Sequence, residues 1–144
     1  MKATTEQKGK GAEFLVFGEL LRRGAELYLP VVDIGIDAIS RLKTETYLEI
    51  QVKSTEAENQ AGYFNIYDLE PKPNLLIVCV DMSERKMEQW SKPEVWILPS
   101  KEFAKYATGT KEHYCLPLPE KDTRLGNIPR EQFLEQYCAN KHDE

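Results

Sequence analysis

The chain has 144 residues, of which 41% are hydrophobic and 30% are charged, as is ordinary for a soluble globular protein. We therefore expect one domain spanning residues 1–144. The sequence contains no run of about 18 apolar residues, and the polar segment 1–11 lacks an apolar signal core, so we expect a cytoplasmic protein. The formal net charge of −5 argues against strong non-specific binding of nucleic acid, although a local basic patch can still bind phosphates.

The three cysteines, at positions 79, 115 and 138, are far apart and odd in number. No pair has the CxxC spacing, which argues against both a disulfide framework and a structural zinc site. Cys79 lies within the apolar run 75–80, so we expect a buried side chain that behaves as a small hydrophobe.

The first predicted element is a helix over residues 5–23, which ends at Gly24 because glycine readily adopts the left-handed conformation of a helix cap. At about 100° per residue, Glu13 falls in the middle of the apolar face of this helix. Glu19 falls on the opposite side, where we expect an exposed ion pair with an arginine of the last turn. Glu13 therefore needs a cation, a hydrogen-bond donor or a cleft, because an isolated buried carboxylate is unfavourable.

Several predicted strands follow the helix. They cover residues 27–32, 34–42, 47–53, 62–67, 75–80 and 94–98, with a polar turn at 43–46. Toward the C-terminus we predict a helix over 101–107 capped by Ser100, an extended segment at 115–119, and a helix from Pro129 to about residue 139. This order predicts an α/β or α+β sandwich around one central sheet.

The most informative strand is the segment 47–53, in which polar and apolar residues alternate. Glu49, Gln51 and Lys53 share one face of it. Asp37 lies inside the preceding apolar segment. Aspartate is disfavoured within strands, so its presence there indicates a specific role. If the two segments pair as a hairpin in an even register, Asp37 lies opposite either Gln51 or Lys53. Both registers bring a carboxylate, an amide oxygen and an ammonium together.

These groups are suited to a magnesium site, because Mg²⁺ prefers one or two carboxylates with water completing its shell. Asp37 would be the main ligand, and the amide of Gln51 and the backbone carbonyl of Val52 offer further oxygens. Glu13 and Glu49 are candidates for the outer shell or a second metal. A bound metal makes hydroxide available near neutral pH, and an ammonium such as that of Lys53 stabilises charge that develops on a phosphate. The set therefore predicts phosphodiester hydrolysis; the alternative is scattered polar groups on the surface.

Residues 8–55 resemble the PD-(D/E)XK nuclease superfamily. The helix with Glu13, followed by Gly24, resembles the first helix of archaeal-type Holliday junction resolvases. The Gly-Ile-Asp sequence at 35–37 and the Gln-Val-Lys sequence at 51–53 resemble the Gln-x-Lys variant of Mrr-like restriction enzymes, and also a family of small stand-alone proteins. The resemblance implies a restriction-endonuclease-like fold with a central mixed β-sheet flanked by helices. It also implies Mg²⁺ or Mn²⁺ as cofactor, DNA as partner, and endonuclease activity of a repair or defence type.

Two residues depart from the family pattern. Ile36 replaces the proline before Asp37, and Gln51 replaces a carboxylate, which removes one negative metal ligand. Three hypotheses therefore remain open: a metal-dependent DNA endonuclease, a degenerate nuclease fold that binds nucleic acid without cleavage, and a scaffold for a protein partner. By analogy, the chain is also expected to form a homodimer.

Other side chains offer weaker signals. Arg22, Arg23, Arg41 and Lys43 are candidates to bind phosphates, although solvated surface charge is the favoured interpretation. Tyr63, Phe64 and Tyr67 are candidates to stack on bases, although packing in the core is favoured.

Overall fold

The computed structural model describes residues 2–41, 45–55, 63–82, 93–117, 124–125 and 128–129. It has helix α1 at Thr5–Arg22 and helix α2 at Ser100–Tyr106. The strands are β1 Glu26–Tyr28, β2 Ala38–Arg41, β3 Tyr47–Thr55, β4 Tyr63–Tyr67, β5 Leu75–Asp81, β6 Glu94–Pro99, β7 Thr108–Thr110, β8 His113–Pro117, β9 Arg124–Leu125 and β10 Ile128–Pro129.

Helix α1 begins with a capping box and ends where the sequence predicted. The hydroxyl of Thr4 accepts a hydrogen bond from the backbone N–H of Gln7 at 3.1 Å, and Oε1 of Gln7 accepts from the N–H of Thr4 at 2.8 Å. Gly24 follows the helix with a φ of 88°, in the left-handed region. Glu19 pairs with Arg22 and Arg23 in the last turns, as expected for an exposed ion pair.

The central sheet has five strands in the order β1-β2-β3-β5-β6 and is mixed. Strands β3 and β5 run parallel, and the other neighbouring pairs run antiparallel. Strand β4, which lies between β3 and β5 in the sequence, belongs to a second sheet of order β4-β8-β7. The connection between the two parallel strands therefore contains a strand, as the sequence predicted.

Two hydrophobic clusters cover the two faces of the central sheet. On one face, Val16 and Phe17 of α1 pack against Ile50 and Val52 of β3. On the other face, Ile77 of β5 belongs to a cluster that includes α2 and the second sheet; its large members are Phe64, Trp96, Leu98, Phe103 and Leu116. Because successive strand residues point to opposite faces, the alternation of β3 decides which of its side chains lie under α1.

Several predicted elements differ from the structure near turns and prolines. The predicted strand 34–42 begins only at Ala38, because residues before it form a turn in which Oδ1 of Asp33 accepts the N–H of Gly35 at 3.0 Å. Ser100 does not cap α2, since its hydroxyl instead bonds the backbone of Lys72. Pro129 lies in a short strand and not in a helix, and the predicted helical residues 130–139 lie outside the described residues.

Other expectations are confirmed. The fold is α/β, with a central mixed sheet flanked by helices. Cys79 is buried in the core, and Cys138 lies outside the described residues.

Tyr63 and Tyr67 are exposed, so the expectation that they pack in the core was wrong, while Phe64 between them is buried as expected. Within the ranges that the structure describes, no helix is long and apolar enough to cross a membrane.

Candidate active site

The carboxylate of Asp37 is fixed to the edge of β3 by two hydrogen bonds. Its backbone N–H donates to the carbonyl oxygen of Ile50 at 2.8 Å, and its Oδ2 accepts the backbone N–H of Val52 at 2.6 Å. The ladder between β2 and β3 reaches only as far as the pair Ala38 and Ile50. The N–H of Val52 lies beyond the end of this ladder and has no backbone partner on β2. The side chain of Asp37, immediately before β2, accepts its hydrogen bond instead.

Helix α1 brings a second carboxylate to this point. Glu13 follows the buried Ala12 and forms a side-chain hydrogen bond with Asp37. Its side chain is only 14% exposed, and its Oε2 lies 3.0 Å from Nζ of Lys10. The sequence prediction that Glu13 lies on the inward face of α1 and needs a cation or a donor is therefore confirmed.

The environment of Asp37 makes its ionisation unfavourable. Burial raises the pKa of its carboxyl group to about 6, and the hydrogen bond with Glu13 and the charge of Glu13 add to this effect. The N–H of Val52 and the ammonium of Lys53 act in the opposite direction, because both favour the charged form. A proton or a cation at Asp37 would therefore relieve the unfavourable burial of its charge.

Gln51 and Lys53 lie on the face of β3 that points away from α1, and both are half-buried. Lys53 is close enough for its charge to act on Asp37. Strands β2 and β3 pair in the even register that the sequence allowed, with Ala38 opposite Ile50, and the ladder ends at that pair. Asp37 lies immediately before β2, and its N–H bonds the carbonyl oxygen of Ile50.

Glu49 has a different set of neighbours. Its Oε2 lies 3.3 Å from Nζ of Lys72, and it lines a surface pocket of about 330 Å³ together with Tyr28, Ile39, Tyr47 and Asn74. It lies two residues before Gln51 on β3, or roughly 6.6 Å along the strand. The structure therefore gives Glu49 a lysine partner. Glu13 and the N–H of Val52 contact Asp37, and the charge of Lys53 acts on Asp37 from the neighbouring position on β3.

Lys10 carries no distinctive signal in the sequence, although this lysine contacts Glu13 of the acidic pair. The signal was its position three residues before Glu13, since residues at that spacing lie next to each other on a helix. A lysine near the polar start of a helix is common, however, and the pattern alone gives it no role.

The candidate metal ligands are few. Among the residues that the structure describes, no group of three or more His, Cys, Asp or Glu side chains is placed to hold a metal ion. Two carboxylates, those of Glu13 and Asp37, lie together, and the backbone N–H of Val52, the residue after Gln51 on β3, binds Asp37. Mg²⁺ usually binds few protein ligands, with water in the remaining positions of its coordination shell.

Comparison with known proteins indicates an endonuclease fold. The structure is similar to that of the bacterial homing endonuclease I-Ssp6803I, with a TM-score of 0.62 and 17% sequence identity; the match covers 97% of this chain and 92% of that chain. No protein-family model and no curated protein matches the sequence. At this identity the similarity establishes a shared fold.

Proposed function

We propose that this protein is a nuclease of the PD-(D/E)XK type that hydrolyses phosphodiester bonds of DNA with Mg²⁺ or Mn²⁺. One observation carries the proposal: the carboxylate of Asp37 is held by the N–H of Val52 beside Glu13, within electrostatic reach of Lys53. Structural sites rarely bring two carboxylates into hydrogen-bond contact at a strand edge, because the like charges repel, so a perturbed pair of this kind supports a functional role.

Each residue has a role that follows from its position. Asp37, the amide oxygen of Gln51 and the carbonyl oxygen of Val52 would hold the metal, and Glu13 would orient or share it from α1. A metal held there would supply positive charge, which would lower the pKa of a bound water and polarise the phosphate. Lys53 carries a positive charge on a rigid central strand, where it orients the attacking water or stabilises negative charge on the phosphate.

The similarity to a homing endonuclease supports the choice of nuclease activity, because the two chains share a fold. The net charge of −5 does not oppose this choice, since the charges that bind a phosphate act locally. The sequence resemblance at Glu13, Asp37 and the Gln-x-Lys segment supports the PD-(D/E)XK type.

One observation favours a second candidate function, binding of nucleic acid without cleavage. Gln51 carries no charge at the position where a second acidic ligand is expected, so the metal is held by fewer negative groups. Glu49 is not a ready substitute, because its carboxylate lies against Lys72. The same experiment distinguishes the two functions.

To test the proposal, purified protein is incubated with branched, single-stranded and duplex DNA in Mg²⁺ or Mn²⁺, and cleavage of each DNA is measured. Lys53→Ala is the test variant, and Lys101→Ala is the matched control, because Lys101 is an exposed lysine of α2 on the other face of the sheet. We expect metal-dependent cleavage by the wild type and the control, and a loss of about 100-fold or more in Lys53→Ala. DNA binding without cleavage on every substrate would instead establish the second function.

A further inference from the structure

Lys10 connects the buried acidic pair to solvent. Its side chain is 63% exposed, whereas that of its partner Glu13 is 14% exposed, and the two are joined by a contact of 3.0 Å between Nζ and Oε2. The hydrogen bond and the charge of Glu13 raise the pKa of Lys10, and the charges of Asp37 and Asp33 act in the same direction. Lys10 is therefore a cation held beside the candidate metal site by Glu13.

Helix stability does not account for this contact. Exposed ion pairs on one helix face contribute little, and the orientation with lysine before glutamate is the weaker one. Moreover, Lys10 lies in the first half of α1, away from the C-terminal end where a cation interacts favourably with the helix dipole. The contact is better explained by the charge that Glu13 and Asp37 share.

A divalent cation and the ammonium of Lys10 compete for the same carboxylate. If a metal binds between Glu13 and Asp37, its charge repels the ammonium, and the oxygen that Lys10 contacts becomes a metal ligand or turns toward one. The long, exposed stem of Lys10 allows the ammonium to leave without any change in the backbone of α1. A phosphate is an anion that then becomes its partner.

We propose, building on the proposed function, that Lys10 is a phosphate-binding residue that Glu13 holds until a divalent cation displaces it, and that it then contacts the DNA backbone beside the cleaved bond. Lys10 thus links metal binding to DNA binding. The inference predicts opposite effects of one substitution: removal of Lys10 strengthens the binding of metal and weakens the binding of DNA. A purely structural role would weaken both or change neither.

The first arm measures Mn²⁺ binding without DNA by isothermal titration calorimetry. Lys10→Ala should bind Mn²⁺ about fivefold more tightly than the wild type, because a competing unit charge about 4 Å away has been removed. Lys10→Arg should resemble the wild type, and the control Lys101→Ala should be unchanged. Equal or weaker Mn²⁺ binding by Lys10→Ala overturns the inference.

The second arm measures the affinity for duplex DNA in Mg²⁺ in a Lys53→Ala background, so that the DNA is not cut. Lys10→Ala should weaken binding about fivefold and reduce the slope of log affinity against log salt by about 0.9, the value for one lost phosphate contact. Lys10→Arg should restore both. An unchanged slope for Lys10→Ala overturns the inference.

The two proposals fail in different ways. If the wild type binds Mn²⁺ and cleaves DNA but Lys10→Ala behaves like Lys101→Ala, only the role of Lys10 is overturned. If the wild type binds no Mn²⁺, the proposed function and the role of Lys10 are both overturned.

Discussion

Asp37 serves the fold and the candidate site with the same carboxylate. The bond of 2.6 Å from the N–H of Val52 satisfies a strand edge that the short strand β2 leaves open. The same bond holds the carboxylate beside Glu13, where like charges oppose each other. Stability and function therefore impose opposite demands on this residue, as is common at functional sites.

The stability of the metal-free protein should depend on pH through Asp37. Its pKa is raised from 3.8 to about 6, so the folded state binds this proton more tightly than the unfolded state. The resulting stabilisation is complete below pH 3.8 and is lost as the pH rises through about 6. After a discount for the partial exposure of the group, we expect a loss of about 1–2 kcal/mol.

Asp37→Asn tests this prediction, because asparagine keeps an oxygen for the N–H of Val52 but does not titrate. In urea unfolding with a chelator present, the variant should equal or exceed the wild type in stability at neutral pH and should lack the loss between about pH 4 and pH 7. The same pH dependence in both proteins would show that Asp37 is not the titrating group.

Sequence reasoning located single residues where their position broke a pattern. Glu13 interrupts an apolar helix face and Asp37 an apolar segment, so both had to have a partner, and the structure places them together. Lys10 broke no pattern, because a lysine on an exposed helix face is ordinary. Tyr63 and Tyr67 were misassigned to the core, since alternation shows which residues share a face but not which face is buried.

At the scale of elements, β3 organises the site. Ile50 and Val52 of β3 pack under α1, and the alternating residues Glu49, Gln51 and Lys53 point to the other face. The long alternating or apolar strands β3, β5 and β6 were predicted to within two residues of their ends. The start of β2 was not, because the turn around Asp33 depends on a local hydrogen bond that apolar patterning does not reveal.

A pair of glycine substitutions tests the structure of two elements. Gly109 in β7 has a φ of 98°, and a Cβ there would collide with the carbonyl oxygen of His113 in β8. Gly109→Ala should therefore destabilise the protein by about 2–4 kcal/mol. Gly9→Ala, in α1 where a Cβ meets nothing within 4 Å, should stabilise it by about 0.5–1 kcal/mol. Urea unfolding of both variants measures the difference, and equal effects would contradict the structure of this hairpin.

At the scale of the whole molecule, the order of the strands lay beyond sequence reasoning. The hairpin of β2 and β3 follows from neighbouring segments, but the pairing of β3 with β5 skips β4, which joins another sheet. Pairing between strands that are distant in the sequence depends on how both faces of the sheet pack against the other elements. The fold is nevertheless shared with an endonuclease across 97% of the chain at only 17% identity, because many sequences satisfy the same packing.

The proposed chemistry depends most on the binding of a divalent cation by Asp37 and its neighbours. The most direct measurement is a calorimetric titration of Mn²⁺ into the wild type, Asp37→Asn and Asp68→Asn at about pH 7.5, above the pKa of Asp37. Asp68→Asn is the matched control, since Asp68 is exposed and its φ of 54° is one that asparagine tolerates. We predict that the wild type and the control bind Mn²⁺ alike and that Asp37→Asn binds at least about tenfold more weakly. Equal affinity in all three proteins would contradict the metal site and, with it, the proposed mechanism.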